Sequence, residues 1–356
     1  MKRTLTALLL AAALLLSLTA CGSAPAAPSS SAGTVPFTDD LGRTVDIPAE
    51  ITRIVPTGPL AQHVLFAIAP DLMVALTAGW DSRPEDFINP QYLSLPYLGQ
   101  LYGSAELNVE QLALADPQLI LDIGEPKASS AEDLDDLTAR TSVPSLFLSS
   151  DLASMGETYR TLGRLLGREE RGEELASFCE RVYSRALSVM EQVGDQRERV
   201  LFVLGGEGLN VLAAGSYHAE LLDLLCHNLA VVENPSSKGM GNAVTMEQIS
   251  LWDPDFVIFA PGSIYSSVQE REPWNRVSAI VSGRYVEVPN APLNWTGMPP
   301  SVQRYLGLIW LPAVLYPEYC QYDVKAEITE CYRLLFGCEL TEEQYTSLTA
   351  NAFPGR

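Results

Sequence analysis

Histidine is scarce in this chain, positive charge is in short supply, and the cysteines fall in no paired spacing. There are three histidines in 356 residues, His63, His218 and His227. A bare zinc or manganese site of three histidines and a carboxylate would need all of them to converge, so no metal site is expected. Six cysteines are present and no two are spaced as CxxC. Beyond Cys21 they are Cys179, Cys226, Cys320, Cys331 and Cys338, an odd number that leaves at least one thiol free if any bridge forms. Buried apolar cysteine is the default reading, with Cys331–Cys338 or Cys320–Cys331 as the bridges spacing would allow. Lysine and arginine total 23 against 44 acidic residues, a formal charge of −21. So acidic a surface argues against nucleic acid and anionic lipid as partners. Also missing are G-x-S-x-G, HExxH, G-x-x-x-x-G-K and a phosphate-type G-x-G-x-x-G at a strand–helix junction. The turn Gly205-Gly206-Glu207-Gly208 is glycine-rich but lacks the helix start such a site requires.

The N-terminus does carry a signal. Lys2 and Arg3 precede an apolar run over 5–16, short for a membrane span and right for a signal h-region. It ends in Leu18-Thr19-Ala20-Cys21, which closely resembles a bacterial lipobox. That resemblance implies a signal peptide over 1–20, cleavage before Cys21 and lipidation of its thiol. Residues 21–36 then read as a flexible Ser/Ala/Pro/Gly tether. Without Lys2 and Arg3, 21 basic residues face 44 acidic ones and the mature charge is −23.

The most informative feature is a segment that occurs twice. Residues 108–121 read NVEQLALADPQLIL and 245–258 read TMEQISLWDPDFVI, in register at an offset of 137. In each copy a capping residue, Asn108 or Thr245, is followed three places on by Gln111 or Gln248, the spacing of a reciprocal capping box. A short helix follows, stopped by Asp-Pro because proline cannot continue the ladder and its predecessor avoids the helical region. An apolar, β-branched run then reads as a buried parallel strand. Two similar α/β lobes in tandem are expected.

The rest of the chain fits that plan. Residues 39–45 predict a hairpin turn, 53–55 a strand, 60–69 a helix and 74–76 another strand. The loop from 79 to 108 is long enough to be functional. The pattern over 152–195 is helical with a break near 163–167, and the part from 168 to 192 would span about 35 Å as a spacer. In the second half, strands are expected at 200–204 and 284–288, a helix at 219–226, and a mostly helical tail from 301. His63 and His227 are placed in helical stretches, and His218 at a crevice-side helix start. The expected division is a lobe at 37–150, an inter-lobe helix at 151–196 and a second lobe at 197–356.

The lipobox and tether, Asp-Asp-Leu-Gly-Arg, an Arg-Ile-Val strand, the two Glu-Gln…Asp-Pro segments and the helix between them resemble one family in their order. So do 278–288 (SAIVSGRYVEV), 301–310 and Tyr316-Pro317-Glu318. The family is that of the substrate-binding proteins of iron-siderophore, haem and cobalamin ABC importers, with a helical backbone between lobes. The resemblance implies an α/β fold of two Rossmann-like lobes with central parallel sheets joined by one long backbone helix, and little hinge motion. It implies a ligand held in the inter-lobe cleft and one glutamate per lobe, Glu110 and Glu247, docking on arginines of the permease. The partners implied are an ABC permease dimer with its ATPase, a small-molecule ligand and, through the lipid anchor, the membrane; the protein is expected to be an extracytoplasmic monomer.

Loops at the lobe interface are the expected ligand contacts. They are Thr57, Gly58, Trp80, Arg83 and Tyr102 from the first lobe, and Tyr217, His218, Lys238, Tyr265, Asn294 and Trp295 from the second. Aromatic rings supply flat, rigid area for a large ligand, and Arg and Lys answer carboxylates of haem or a ferric siderophore. Tyr217 or His218 could serve as an axial ligand to haem iron. No catalytic residues and no cofactor are expected, the iron chelate, haem or corrinoid being cargo. The competing reading is a bilobal metal-handling enzyme such as a chelatase, or a hydrolase, on a similar frame; turnover against stoichiometric binding separates the two. A binder of another metal or oxyanion cargo is the nearer alternative.

Overall fold

The structure, a computed structural model, describes residues 33–103, 105–236 and 239–355. The signal peptide, Cys21 and most of the tether lie outside the described residues, as does Lys238. Among the described residues no helix is long and apolar enough to cross a membrane.

Strands β1 (Thr34–Thr38) and β2 (Thr44–Pro48) pair around the 39–43 turn. Asp39 holds the turn: its carboxylate accepts from the backbone N–H of Leu41 and Arg43 and from the Arg43 guanidinium. The first central sheet is parallel, in the order β3 (Ile54–Pro56), β4 (Leu119–Gly124), β5 (Ser145–Ser149). All of β4 is buried, because helices cover both faces of a parallel sheet. Side chains alternate between faces: Leu119, Leu121 and Ile123 join Val64 and Leu65 of α1 (Pro59–Ile68), while Ile120 packs with Val55, Leu112, Leu134 and Phe147.

The expected strand at 74–76 is not laddered. The Val74 amide donates to Ile54 and the Leu76 amide to Pro96, so the stretch makes only the isolated bridges Ile54–Met73 and Leu76–Tyr97. Between 79 and 108 the chain forms a 3-10 turn, Pro84–Asp86, and a short helix, Pro90–Leu93.

The second sheet is centred on β6 (Arg199–Leu204) and contains β7 (Asn210–Val211), β8 (His227–Asn228), β9 (Asn242–Ala243), β10 (Phe256–Phe259) and β11 (Tyr285–Glu287). Strands β8, β6, β10 and β11 run parallel, and β7 and β9 add an antiparallel edge. His227 thus lies exposed on a strand rather than in a helix. The extended backbone at Cys226 ends the preceding helix, Glu220–Leu225, and lets the Leu229 amide pair with Val200.

The two copies of the repeated segment form helices α2 (Val109–Ala115) and α3 (Met246–Trp252). Each ends on an aspartate in the left-handed region, Asp116 at φ 49° and Asp253 at φ 41°, and feeds β4 or β10. Only Thr245 completes the capping box; Asn108 accepts from the Gln111 amide without the return bond.

Between the sheets, α4 (Met155–Leu166) and α5 (Glu169–Val193) pack side by side. The 25-residue α5 is about 37 Å long. Gly172 allows the close approach, since a Cβ there would lie 2.7 Å from the Tyr159 carbonyl oxygen. Arg171 fastens α5 to both sides of the molecule, donating to the carbonyls of Ala67 in α1 and Leu334 near the C-terminus. One continuous apolar core joins the inward faces of both sheets, α5, and the C-terminal helices α6 (Arg304–Leu315) and α7 (Val324–Phe336). The α7 helix packs on α1, so the tail reaches back to the first lobe. The five cysteines in the described residues are all free thiols.

Candidate functional site

The first wall is built from strand ends. After β3 the chain turns through Thr57 and Gly58 into α1, whose N-cap, Gly58, offers no side-chain cap and is followed by Pro59. The first-turn amides of this ten-residue helix are therefore the positive end of a helix with no internal acceptor. Thr57 Oγ1 donates to Asp122 Oδ1 at 2.5 Å. Burial raises the Asp122 carboxyl above its ordinary pKa, opposed by the Thr57 bond and the charge of Lys127. Lys127 Nζ sits 3.3 Å from the Tyr102 ring centroid, and the Tyr102 hydroxyl donates to Asp133. The Leu101 amide, next to Tyr102, donates to the Thr57 carbonyl, which ties that loop to the wall.

The opposite wall comes from the second lobe and meets the first directly. The Tyr217 hydroxyl donates to the Ser150 carbonyl at 2.7 Å, and the Leu152 amide to Glu220 at 2.9 Å. Ser301 Oγ donates to the carbonyl of Leu60 in the first turn of α1 at 2.8 Å. A Cβ added to Gly124 at the end of β4 would lie 3.0 Å from Leu60 and 3.8 Å from the Tyr217 hydroxyl, so all three crowd one point.

Arg304 is wholly buried at this seam. Its Nη1 is paired with Glu220, its Nε donates to the Ser301 carbonyl, and its guanidinium lies 5.1 Å from the Tyr217 ring centroid. Its Nη2 is buried with no hydrogen-bond partner. An orphaned guanidinium N–H is costly, and a ligand acceptor would satisfy it. His218 Nδ1 is likewise buried without a partner. Burial first, and then the charge of Arg304, push the His218 pKa down, which keeps the imidazole neutral. Burial raises Tyr217 to about 12, so its hydroxyl stays protonated.

Of the expected contacts, the structure therefore brings together Thr57, Gly58, Tyr217 and His218, with Tyr102 beside them. Trp80, Arg83, Asn294 and Trp295 lie instead along a seam between the 79–108 segment and the C-terminal helices. Trp80 packs on His63 and Phe66; Arg83 bonds Ser347 and lies over Phe87, which packs on Tyr332. Trp295 is enclosed in the core and donates to the Tyr332 hydroxyl at 3.0 Å, while the Asn294 amide donates to Asp81. Tyr265 is separate again, packed edge-on against Phe259 and Tyr285.

Sequence reasoning missed Arg304, Glu220 and Ser301. Arg304 had a signal, a lone charge opening the apolar run Tyr305–Trp310, and a charge in such a run is costly unless it is paired or used. Glu110 and Glu247 are exposed in the first turns of α2 and α3, and neither is in an ion pair among the described residues.

The sequence pattern of the family described as "Periplasmic binding protein" matches residues 66–292. No curated protein matches by sequence. Among solved structures, an ABC transporter solute binding protein from Sulfurospirillum deleyianum is 27% identical, with a TM-score of 0.82 over 88% of this chain and 99% of that one. The molybdate periplasmic binding protein MolA of a Haemophilus influenzae ABC transporter is 16% identical, with a TM-score of 0.67 over 86% of this chain and 99% of that one. The periplasmic catecholate-siderophore binding protein VctP of Vibrio cholerae is 19% identical, with a TM-score of 0.57 over 78% of this chain and 99% of that one. With the family pattern spanning well over half its length, the chain belongs to the periplasmic binding protein family, the extracytoplasmic solute-binding components of ABC transporters.

Proposed function

We propose that this protein is a lipoprotein anchored through Cys21 that captures an anionic iron complex, a ferric siderophore or haem, between its lobes and delivers it to an ABC permease dimer with its ATPase. The observation that carries the reading is Arg304, fully buried with Nη2 unpartnered, beside the open N-terminus of α1. A fixed cation and free amides together favour negative charge. Cyanocobalamin suits the site less well, because its single phosphodiester charge is balanced at cobalt and the molecule is neutral overall. In this reading Thr57, Gly58, Tyr102, Tyr217 and His218 line the cleft, the lobes divide at 37–150 and 197–356 with 151–196 between them, and the protein binds without turnover. Glu110 and Glu247 dock on the permease, and the binding protein works as a monomer.

A second cargo, a small tetrahedral oxyanion, is favoured by a separate observation. Tyr217–Ser150 and Ser301–Leu60 bond directly across the seam, which suits a small ligand held by few groups. The test is a tryptophan-fluorescence titration of the soluble domain with haemin, cyanocobalamin, a ferric catecholate, a ferric hydroxamate, free Fe³⁺ and molybdate. Saturation by haemin or the ferric catecholate, weakened at least about 100-fold in Arg304→Met, is the expected result, since hydrogen bonds to a charged partner in a buried site are strong. Saturation by molybdate alone would replace the iron reading with the oxyanion one. Saturation by free Fe³⁺, cyanocobalamin or the ferric hydroxamate alone, none of them an anion, would overturn the anionic-cargo reading.

A further inference from the structure

The two repeated helices share more than their glutamates. The residue four places after Glu110 is Leu114, and four after Glu247 is Leu251, again at the offset of 137. These are the two most exposed large apolar side chains among the described residues, at 77% and 84%. Residues four apart in a helix stand side by side on one face. The faces match throughout: Glu110, Gln111, Ala113 and Leu114 are exposed, as are Glu247, Gln248, Ser250 and Leu251, while Leu112 and Ile249 anchor each helix to its lobe. A single exposed leucine needs no explanation. Two at matched positions, each beside a carboxylate that is in no ion pair among the described residues, are hard to attribute to packing, because neither side chain packs.

We infer that each helix presents a glutamate–leucine pair to the permease, Glu110 with Leu114 and Glu247 with Leu251. This rests on reading the two glutamates as docking residues. The partner surface it requires is two-fold, with one basic side chain and, one helical turn away, one apolar socket on each permease subunit. The carboxylate steers and registers the encounter, and the leucine supplies a contact that salt does not screen. The two-fold match follows from the duplication: a symmetric dimer offers the same patch twice, and this chain answers it with two copies of one helix.

The test uses the full mature chain and the permease–ATPase complex of its host in nanodiscs, measuring docking affinity and ATPase stimulation at low and high salt. Leu114→Ala and Leu251→Ala keep helix propensity while removing the apolar bulk. Each is expected to weaken docking about tenfold with little salt dependence, and methionine at either position to restore it. Glu110→Gln and Glu247→Gln are expected to weaken docking mainly at low salt. If the leucine double variant docks like the wild type while the glutamate variants do not, the leucine inference fails and the docking glutamates stand. If the glutamate variants also dock unchanged, the docking reading itself fails. If only the leucines matter, the pairing is overturned. Unchanged thermal unfolding and cargo affinity of each variant exclude a folding defect as the cause.

Discussion

The two copies of the repeated segment have kept their surface and let their interiors diverge. Helices α2 and α3 are the same length, end on the same left-handed Asp-Pro corner and expose the same positions. Beneath them the sheets differ: three parallel strands in the first lobe, and in the second a six-stranded sheet with an antiparallel edge. Even the caps differ, a full box at Thr245 and half of one at Asn108. A core need only fill its own volume, so its strands and side chains can differ while the short helix and its corner stay alike.

The largest energetic difference between the copies is expected at the centre of each sheet, where Ile120 and Val257 occupy equivalent places. Ile120→Ala is expected to cost about 3 kcal/mol and Val257→Ala about 2 kcal/mol, in keeping with the methylenes removed. Because one apolar core joins both sheets and α5, denaturant unfolding followed by circular dichroism and by tryptophan fluorescence should coincide in both variants. Separate transitions would mean that the lobes fold independently.

The caps give a smaller, more specific contrast. Thr245→Ala and Asn108→Ala should each cost about 1 kcal/mol. Gln248→Ala should cost about 0.5 kcal/mol by removing the return bond of the box, while Gln111→Ala, which has no such bond to lose, should be near neutral. Denaturant midpoints resolve the difference. At the other end of each helix, Asp116→Gly and Asp253→Gly should be stabilising by about 0.5 kcal/mol, since glycine adopts the left-handed corner without the Cβ penalty.

What could be read from the sequence follows the same division. The repeat, the caps, the Asp-Pro stops and the long helix are local patterns, and each carries its own chemistry in consecutive residues. The stretch at 74–76 reads as a strand because Val74-Ala75-Leu76 is a short apolar run, whereas its amides divide between Ile54 and Pro96 and build no ladder. Loop aromatics are hard to place for another reason. Trp295 sits in a loop but fills the core, because its indole N–H finds Tyr332 some 37 residues on. Arg304 is hard to place for the reverse reason: it belongs to an apolar helix, and its partners Glu220 and Tyr217 are distant in sequence.

The two strands differ once more where they end. At the shared offset Asp122 in β4 corresponds to Phe259 in β10, so only the first lobe places a carboxyl at this buried position. Burial raises the Asp122 pKa in the folded protein above its unfolded value. The folded state therefore binds the proton more tightly, and the stability this contributes is full below the unfolded carboxyl pKa and is lost as pH rises through the raised one. Asp122→Asn removes that titration. Relative to the wild type, the variant should gain stability from acid toward neutral pH, the change falling between the ordinary carboxyl range and the raised value, in chemical denaturation at stepped pH. A flat difference would mean that the Thr57 bond and Lys127 hold Asp122 ionised despite its burial, and the two lobes would then differ in side-chain volume at this point but not in their response to pH.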